Sequence, residues 1–409
     1  MSQRIRMGIV GCGRFVRNFI PLFQAHPYVE SLAVTDLLPE RSAAHAKEFG
    51  ISEIYPSFEA MLESKTLNAV AIFTQRHLHG PMTIAALKAG KNVYSAVPMA
   101  SHIEEIAEIV SLVKQTGLTY SMSETGHYRP CSIFCRQKLK SGEMGAFVYG
   151  ESQYNHDMRH FDYKYSGGEN WKQVAGVPPM LYPTHSTGMI LSSSGSWARK
   201  VASFGYIDQV GDDIFGKGKN LWDNPFSNTT ALLYLDNGGI ARINENRRIG
   251  WYGPMSYISS FHGTQASYES SIAQHTFVRL EGKDAIYEDV GPLLNPFEMQ
   301  KHQDDPNFTQ EVISNKWGST FAPIQNQKRL PEAYIGMHDG HGGTHKFMAD
   351  DFCKAAYTGK LSPTNAWVAA RYNLPGLIAH ESALKGGETM VVPDLGDSPT
   401  GWEVLESDE

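Results

Sequence analysis

The chain has 409 residues, 41% of them hydrophobic and 19% charged, with a formal net charge of −7; it is too long for one ordinary domain and suits two with sizeable cores. No run of Lys or Arg exceeds two residues, which excludes nucleic acid or an anionic membrane as a natural partner and leaves a small molecule.

Met1 leads directly into the first strand, without a cleavable leader, and no apolar run reaches membrane-spanning length, so we expect a cytoplasmic protein. Ile5–Val10 reads as a short apolar strand running into Gly11-Cys12-Gly13, and Phe15, Phe19, Leu22 and Phe23 follow at one-face helical spacing. Strand, glycine turn and helix start together make a dinucleotide cradle. A side chain at Gly11 or Gly13 would block the pyrophosphate, whose charge faces the amides at the helix start. Val16 stands where a third small residue is usual. Asp36 ends the apolar run Leu32–Thr35, where a carboxylate accepts from both ribose hydroxyls and repels a phosphate. That predicts NAD over NADP; taken alone, Asp36 is also an ordinary turn residue.

Ala69–Phe73, Asn92–Ser95 and Leu118–Met122 read as further strands. Between them lie a helix over Pro81–Ala89, closed by Gly90, and one that starts at a capping-box pattern, Ser101 with Glu104, and stops at Gly117. This alternation predicts an α/β domain with a doubly wound parallel sheet over residues 1–123. Ligands gather at the carboxyl ends of such strands, so Arg14, Phe15, Thr74, His79, Ala96 and Pro98 join Gly11, Gly13 and Asp36 as expected cofactor contacts.

From residue 124 the texture changes. A helix over Pro130–Lys140 carries Cys131 and Cys135, which lack a second pair to complete a metal site and read, with the other two cysteines, as reduced and structural. Strands near Phe147–Tyr154, Arg199–Asp208, Thr229–Leu235 and Gly239–Asn244, with many turn signals, predict an α+β domain over 124–409 with a mostly antiparallel sheet. Residues 291–343, rich in Pro, Asn, Gln and His, read as a long loop region over the sheet or a pocket. Lys346–Thr358 and Ala366–Lys385 read as helices, Met390–Val392 as a last strand, and Glu403–Glu409 as a solvated acidic tail.

The glycine loop, the run from Ala89 to Pro98 and the β-rich domain that follows resemble the glucose-fructose oxidoreductase, inositol dehydrogenase and MocA (Gfo/Idh/MocA) family over nearly the whole chain. The resemblance implies an N-terminal Rossmann domain and a large open sheet in the second domain. Two breaks in the pattern are informative. Ala96-Val97-Pro98 stands where dehydrogenases of the family carry Glu-Lys-Pro, so Val97 replaces the lysine that handles the alcohol proton. Leu181-Tyr-Pro-Thr-His185 keeps the histidine of the family's Asp-x-Gly-x-His segment and loses the aspartate. Both segments, at 97–100 and 182–188, are similar to glycoside hydrolase family 109, the NAD-dependent glycosidase branch.

That branch implies a tightly bound, recycled NAD that takes hydride from carbon 3 of the sugar; elimination of the aglycone, addition of water and return of the hydride follow. Oxidation at carbon 3 acidifies the proton on carbon 2, so the site needs a base and an acid. By the resemblance Tyr154 is the expected base and His185 the proton relay, with half-buried packing as the plain alternative for Tyr154. Glu124 is expected at the cofactor and Tyr128 at the sugar, although capping a helix would also account for Glu124. His156, Asp157 and Tyr182 are further expected substrate contacts, and Arg159 and His160 extend the same polar run. Trp171 beside Lys172 suits a sugar face and a hydroxyl edge. His338-Asp-Gly-His341-Gly-Gly-Thr-His345 suits either a divalent metal or a loop packed on a ligand, with His341 or His345 capping the next helix or reaching the sugar. We expect no metal and take His341 as a sugar contact. Arg247-Arg248 followed by Trp251 is a lead toward an anionic sugar.

The partners implied are a small-molecule sugar or glycoside and, through the open sheet, a second copy in a homodimer or homotetramer. Two rival functions remain: an NAD-dependent sugar or polyol dehydrogenase with His185 in the lysine's place, and a non-catalytic NAD-containing sugar-binding protein.

Overall fold

A computed structural model describes residues 3–157, 168–250, 257–270, 274–282, 284–295 and 321–406. Contacts group the chain into two units, Met1–Tyr128 with Pro296–Ala370 and Leu395–Glu409, and Arg129–Asn295 with Arg371–Asp394.

The first unit holds β1 (Ile5–Val10), β2 (Val29–Thr35), β3 (Glu53–Ile54), β4 (Ala69–Ile72), β5 (Asn92–Ser95) and β6 (Tyr120–Met122). They form a parallel sheet in the order β3-β2-β1-β4-β5-β6. The order reverses beside β1, which makes the end of β1 the switch point where ligands bind in such sheets. β4 is buried along its whole length, as a strand covered by helices on both faces must be. The helix expected after the glycines comes in two pieces, a 3-10 turn at Phe15–Asn18 and then α1 (Ile20–Ala25), with Pro21 in its first turn. Next come α2 (Pro39–Phe49), α3 (Phe58–Glu63), α4 (His79–Lys88) and α5 (Ile103–Thr116), which buries the stripe Ile106, Ile109, Val110 and Val113 and ends at left-handed Gly117. The capping box expected from Ser101 and Glu104 does not form. His102 is the N-cap, and the carboxylate of Glu105, one residue further on, accepts from the Ser101 amide at 3.2 Å.

Where a single break after residue 123 was expected, the chain returns twice to the first unit. The physical reason is aromatic burial. α6 (Pro130–Lys140), α7 (Trp171–Ala175), α8 (Thr184–Ser194) and α9 (Gly291–Leu294) precede α10 (His345–Thr358), whose Phe347 and Phe352 join the core of Phe19, Phe23 and Tyr94. Arg329, buried beneath, pairs with Asp351 at 2.6 and 3.1 Å. Asp350 receives Lys354 at 2.8 Å and lies 3.2 Å from His26. In the expected loop region, 296–320 lie outside the described residues, and the rest contains α9 and 3-10 turns at Gln327–Arg329 and Glu332–Tyr334. The acidic tail is more than solvated: Leu361 donates to the Glu403 carbonyl and Leu405 to that of Leu361, both at 2.8 Å.

The second unit is built on β7 (Phe147–Asn155), β8 (Ala198–Ile207), β9 (Phe226–Leu235), β10 (Ile240–Asn246), β11 (Tyr257–Gly263), β12 (Ala266–Ser270), β13 (His275–Glu281), β14 (Asp284–Asp289) and β15 (Met390–Val391). Their order is β14-β13-β12-β11-β7-β10-β9-β8-β15, antiparallel except where β10 meets β7. β7 alternates buried and exposed positions, with Gly150, Ser152 and Tyr154 on the buried side under α8. Strands β11 to β14 lie beyond those expected from sequence. Phe204, Leu232, Tyr234 and Ile240 stay exposed on the sheet. α11 (Ala366–Leu384) carries Pro375 within it.

Candidate functional site

In the first unit the nucleotide cradle forms at the end of β1. Gly11 adopts φ +93°, and a Cβ there would stand 2.5 Å from the Phe73 carbonyl oxygen, so only glycine fits. A Cβ at Gly13 would meet nothing within 4 Å, which leaves bare backbone on an open side, as a pyrophosphate requires. The Asp36 carboxylate accepts from the Cys12 amide at 2.6 Å and the Leu38 amide at 2.8 Å. Those bonds hold it at the loop and leave further lone pairs for ribose hydroxyls. The residues present therefore fit a dinucleotide. Arg14 is exposed where the 3-10 turn begins, and Phe15 lays its ring edge on Phe19 at 5.2 Å and Phe73 at 6.0 Å. At the ends of β4 and β5, Thr74 turns its hydroxyl to the Met82 sulfur at 3.4 Å, and the Ala96 amide donates to the Ile72 carbonyl at 2.9 Å.

Several expected contacts carry framework bonds. His79 is 1% exposed, with its ring nitrogens 2.8 Å from the Pro98 carbonyl oxygen and 3.1 Å from that of Thr74. It ties two strand-end loops together, and burial pushes its imidazole down to about 4. Glu124 is buried and accepts from the Gly126 amide at 2.6 Å, closing the turn after β6. The Tyr128 hydroxyl donates to Asp351 and its ring stacks on Phe347, 6.0 Å between centroids, so it takes part in the Arg329 charge network.

His341 belongs to this unit too. Its backbone is left-handed at φ 52°, its Nδ1 lies 2.8 Å from His345 Nε2, and its ring is 5.9 Å from that of Phe15. The cap of α10 comes from Asp339, whose carboxylate accepts from the Gly340 amide at 2.7 Å and the His345 amide at 3.0 Å. Burial pushes the Asp339 carboxyl up to about 6 against the pull of Lys346, and pushes His345 down to about 3. Among the described residues no group of three His, Cys, Asp or Glu is arranged to hold a metal.

The second unit gathers the expected catalytic residues. Sheet register sets Tyr154 of β7 opposite Glu245 of β10 on one side and Tyr257 of β11 on the other. The Tyr154 hydroxyl lies 2.8 Å from His156 Nδ1, and the Tyr182 hydroxyl lies 3.0 Å from His185 Nε2. These two tyrosine–histidine pairs pack together, with 4.8 Å between the ring centroids of Tyr154 and His185. Pro183 begins α8, placing His185 in its first turn. The turn can sit there because residue 376 is glycine: a Cβ would stand 2.2 Å from the Met180 carbonyl oxygen and 2.4 Å from Pro183. Ser186 anchors the same turn by donating to Glu245 at 2.5 Å. Glu245 also receives Arg247 at 2.8 Å, whose guanidinium carbon stands 4.8 Å from the Tyr154 ring centroid. Burial holds the Tyr154 phenol well above the usual tyrosine range, reinforced by Tyr257 and Tyr182 and opposed by Arg247.

Asp157 is buried and accepts from the amides of Ile249 and Gly250 at 3.3 and 3.2 Å, fixing the backbone just past Arg247. Trp171 packs on Ala175, Ile214 and Phe215, and Lys172 donates to the Asp212 carbonyl at 3.0 Å, so this pair belongs to a small separate cluster. Arg159, His160 and Trp251 lie outside the described residues. Sequence reasoning missed Glu245 and Tyr257. For Glu245 the signal was a carboxylate placed in step with the apolar positions Ala241 and Ile243; for Tyr257 there was none.

Residues 5–124 match the oxidoreductase family with an NAD-binding Rossmann fold. Over 96% of its length the chain is 26% identical to a glycosyl hydrolase family 109 protein of Saccharopolyspora erythraea, covering 83% of that protein. It is 22% identical, again over 96% of its length and 86% of the relative, to an alpha-N-acetylgalactosaminidase of Tannerella forsythia. Among solved structures it is similar to levoglucosan dehydrogenase in complex with NADH and levoglucosan, with a TM-score of 0.70, 18% identity, 96% of this chain and 100% of that one covered.

Proposed function

We propose that this chain, whose first domain is the NAD-binding domain of the Gfo/Idh/MocA oxidoreductases, is a glycoside hydrolase that works by transient oxidation of its sugar. The observation that carries this reading is the pair of hydrogen-bonded tyrosine–histidine couples, Tyr154 with His156 and Tyr182 with His185, in a chain whose position 97 is valine. Valine transfers no proton, so acid–base work falls to the couples.

Bound NAD supplies a hydride acceptor at carbon 3 in the first step and the hydride donor in the last. The His185 imidazole, steadied by the Tyr182 hydroxyl, takes the proton of the carbon-3 hydroxyl. The ketone acidifies carbon 2. Because burial opposes a free phenolate, Tyr154 accepts that carbon's proton while its own passes to His156 Nδ1, 2.8 Å away. The aglycone leaves with the proton from His185. Water then adds at carbon 1 and gives a proton to His185, Tyr154 returns one to carbon 2 as it recovers its own from His156, and His185 protonates the carbon-3 oxygen as hydride comes back.

The test is to follow aglycone release and NADH absorbance together on a panel of aryl α- and β-glycosides in deuterated water. We expect release without net NADH and deuterium at carbon 2. Release without deuterium would sink the elimination route, NADH accumulating without release would mark a sugar dehydrogenase, and binding without either would mark a sugar-binding protein.

A further inference from the structure

The second unit's guanidinium groups are unequally provided for. Arg242 pairs with Glu151, and Arg248 is held by Asp208 at 2.7 Å and Asp212 at 2.5 Å while lying 4.8 Å from the Phe215 ring centroid. Arg248 is therefore spent on the framework, and the lead toward an anionic sugar passes to two others. Arg247 is 5% exposed; its Nη2 meets Glu245 at 2.8 Å and the Tyr182 carbonyl at 3.5 Å, and its Nη1 is buried with no hydrogen-bond partner among the described residues. The Arg129 guanidinium lies 3.4 Å over the Tyr257 ring, and its Nε is buried with no hydrogen-bond partner among the described residues.

Among the described residues Glu245 is the one carboxylate paired with either guanidinium. Both cations sit over rings of the same aromatic row, Arg247 over Tyr154 and Arg129 over Tyr257, and those rings are 4.9 Å apart. Buried N–H donors without acceptors and a surplus cation are costly to keep. A ligand oxyanion would relieve both by charge-assisted hydrogen bonds, and the planar guanidinium fork suits a carboxylate or sulfate.

We infer that this site recognises an anionic sugar, whose carboxylate or sulfate group is received by Arg129 and Arg247 beside Tyr154. The inference rests on the sugar-processing reading above and names its substrate class: uronic acids or sulfated sugars rather than their neutral parents.

Calorimetry on the full-length protein with its NAD tests it, comparing galacturonate with galactose, glucuronate with glucose, and galactose 6-sulfate as the sulfate arm. The expected result is at least tenfold tighter binding of an anionic sugar, about 1.4 kcal/mol, weakening as salt is raised. Arg129→Gln should abolish the preference and Arg129→Lys restore part of it, with NADH binding unchanged in both as the check on folding. Neutral sugars binding as tightly as both anionic arms would overturn the inference, and a preference kept intact in Arg129→Gln would overturn the part given to Arg129. Neutral glycosides hydrolysed without anionic preference would sink this inference alone. Tight uronate binding with no aglycone release would sink the glycosidase reading alone.

Discussion

The Tyr154 hydroxyl and His156 Nδ1, 2.8 Å apart, come from the same stretch of chain, two residues from one another at the end of β7. Side chains two apart on a strand share a face, so one extended segment supplies both a phenol and the imidazole that can take its proton. Replacing Tyr154 with Phe should cut turnover by about 10²–10⁴, the range for a lost acid–base group, while NADH fluorescence titration finds cofactor affinity unchanged. His156→Gln should leave sugar binding and lower turnover at every pH, because the phenol then lacks its proton acceptor.

Gly376→Ala reaches the same site from a distance. Its Cβ would stand 2.2 Å from the Met180 carbonyl oxygen, so the turn bearing Tyr182 and His185 must shift. A misplacement of about 1 Å is enough to cost on the order of 100-fold in rate. We expect a fall in kcat with little change in NAD affinity, measured by steady-state kinetics and NADH titration.

The Arg329–Asp351–Tyr128 network predicts losses of stability rather than of substrate affinity. Asp351→Asn strips a carboxylate from buried Arg329 and should cost about 3–5 kcal/mol, read by urea denaturation. Tyr128→Phe removes the hydroxyl that donates to Asp351 and should cost about 1–3 kcal/mol, with KM unmoved. A large rise in KM for Tyr128→Phe would mark it as a sugar contact.

Stability should fall with acid below about pH 6.5, the ordinary imidazole value. Burial depresses His79 and His380 to about 4 and His345 to about 3 in the folded chain. The unfolded chain binds those protons first, so the stability they contribute is complete above pH 6.5 and is lost as pH falls through 4 to 3. Asp339, raised to about 6, acts oppositely, favouring the fold below its ordinary value and losing that contribution as pH rises through 6. His380→Phe should flatten the acid limb of the denaturation midpoint against pH.

The exposed sheet positions predict self-association. Tyr149, Ile240, Tyr234 and Lys200 follow one another in register across β7, β10, β9 and β8, and Leu232 and Phe204 are exposed nearby. Exposed together, Ile240, Tyr234, Leu232 and Phe204 form the kind of apolar patch that usually marks a contact surface, and we expect light scattering to give the mass of a dimer or tetramer. Tyr234→Lys with Leu232→Lys should shift it to monomer.

Much of the first unit was legible because its signals are local. A strand, two glycines and an acid at the end of β2 lie within about forty residues, and each needs only its neighbours to be understood. Tyr154 and His185, whose rings pack 4.8 Å apart, were nominated by motifs carried by short runs. Glu245, Tyr257 and Arg129 were not, because only strand register brings Glu245 and Tyr257 to the two sides of Tyr154, and Arg129 reaches that row from the start of α6. The framework bonds of His79 and Tyr128 were hidden for a related reason: a polar residue at a strand end looks the same in sequence whether it faces a ligand or ties down a loop. The return of α10 to the first unit depends on Phe347 and Phe352 filling a core laid down more than 300 residues earlier.

That return has a consequence during synthesis. Phe19 and Phe23, just past the cofactor loop, leave the ribosome more than 300 residues ahead of Phe352. The nascent first unit must wait with an open apolar side while eight of the nine strands of the second sheet are made. A translation product stopped anywhere before α10 would carry every residue of the glycine loop and still expose the rings that α10 covers, a form for chaperones to hold rather than a smaller working domain.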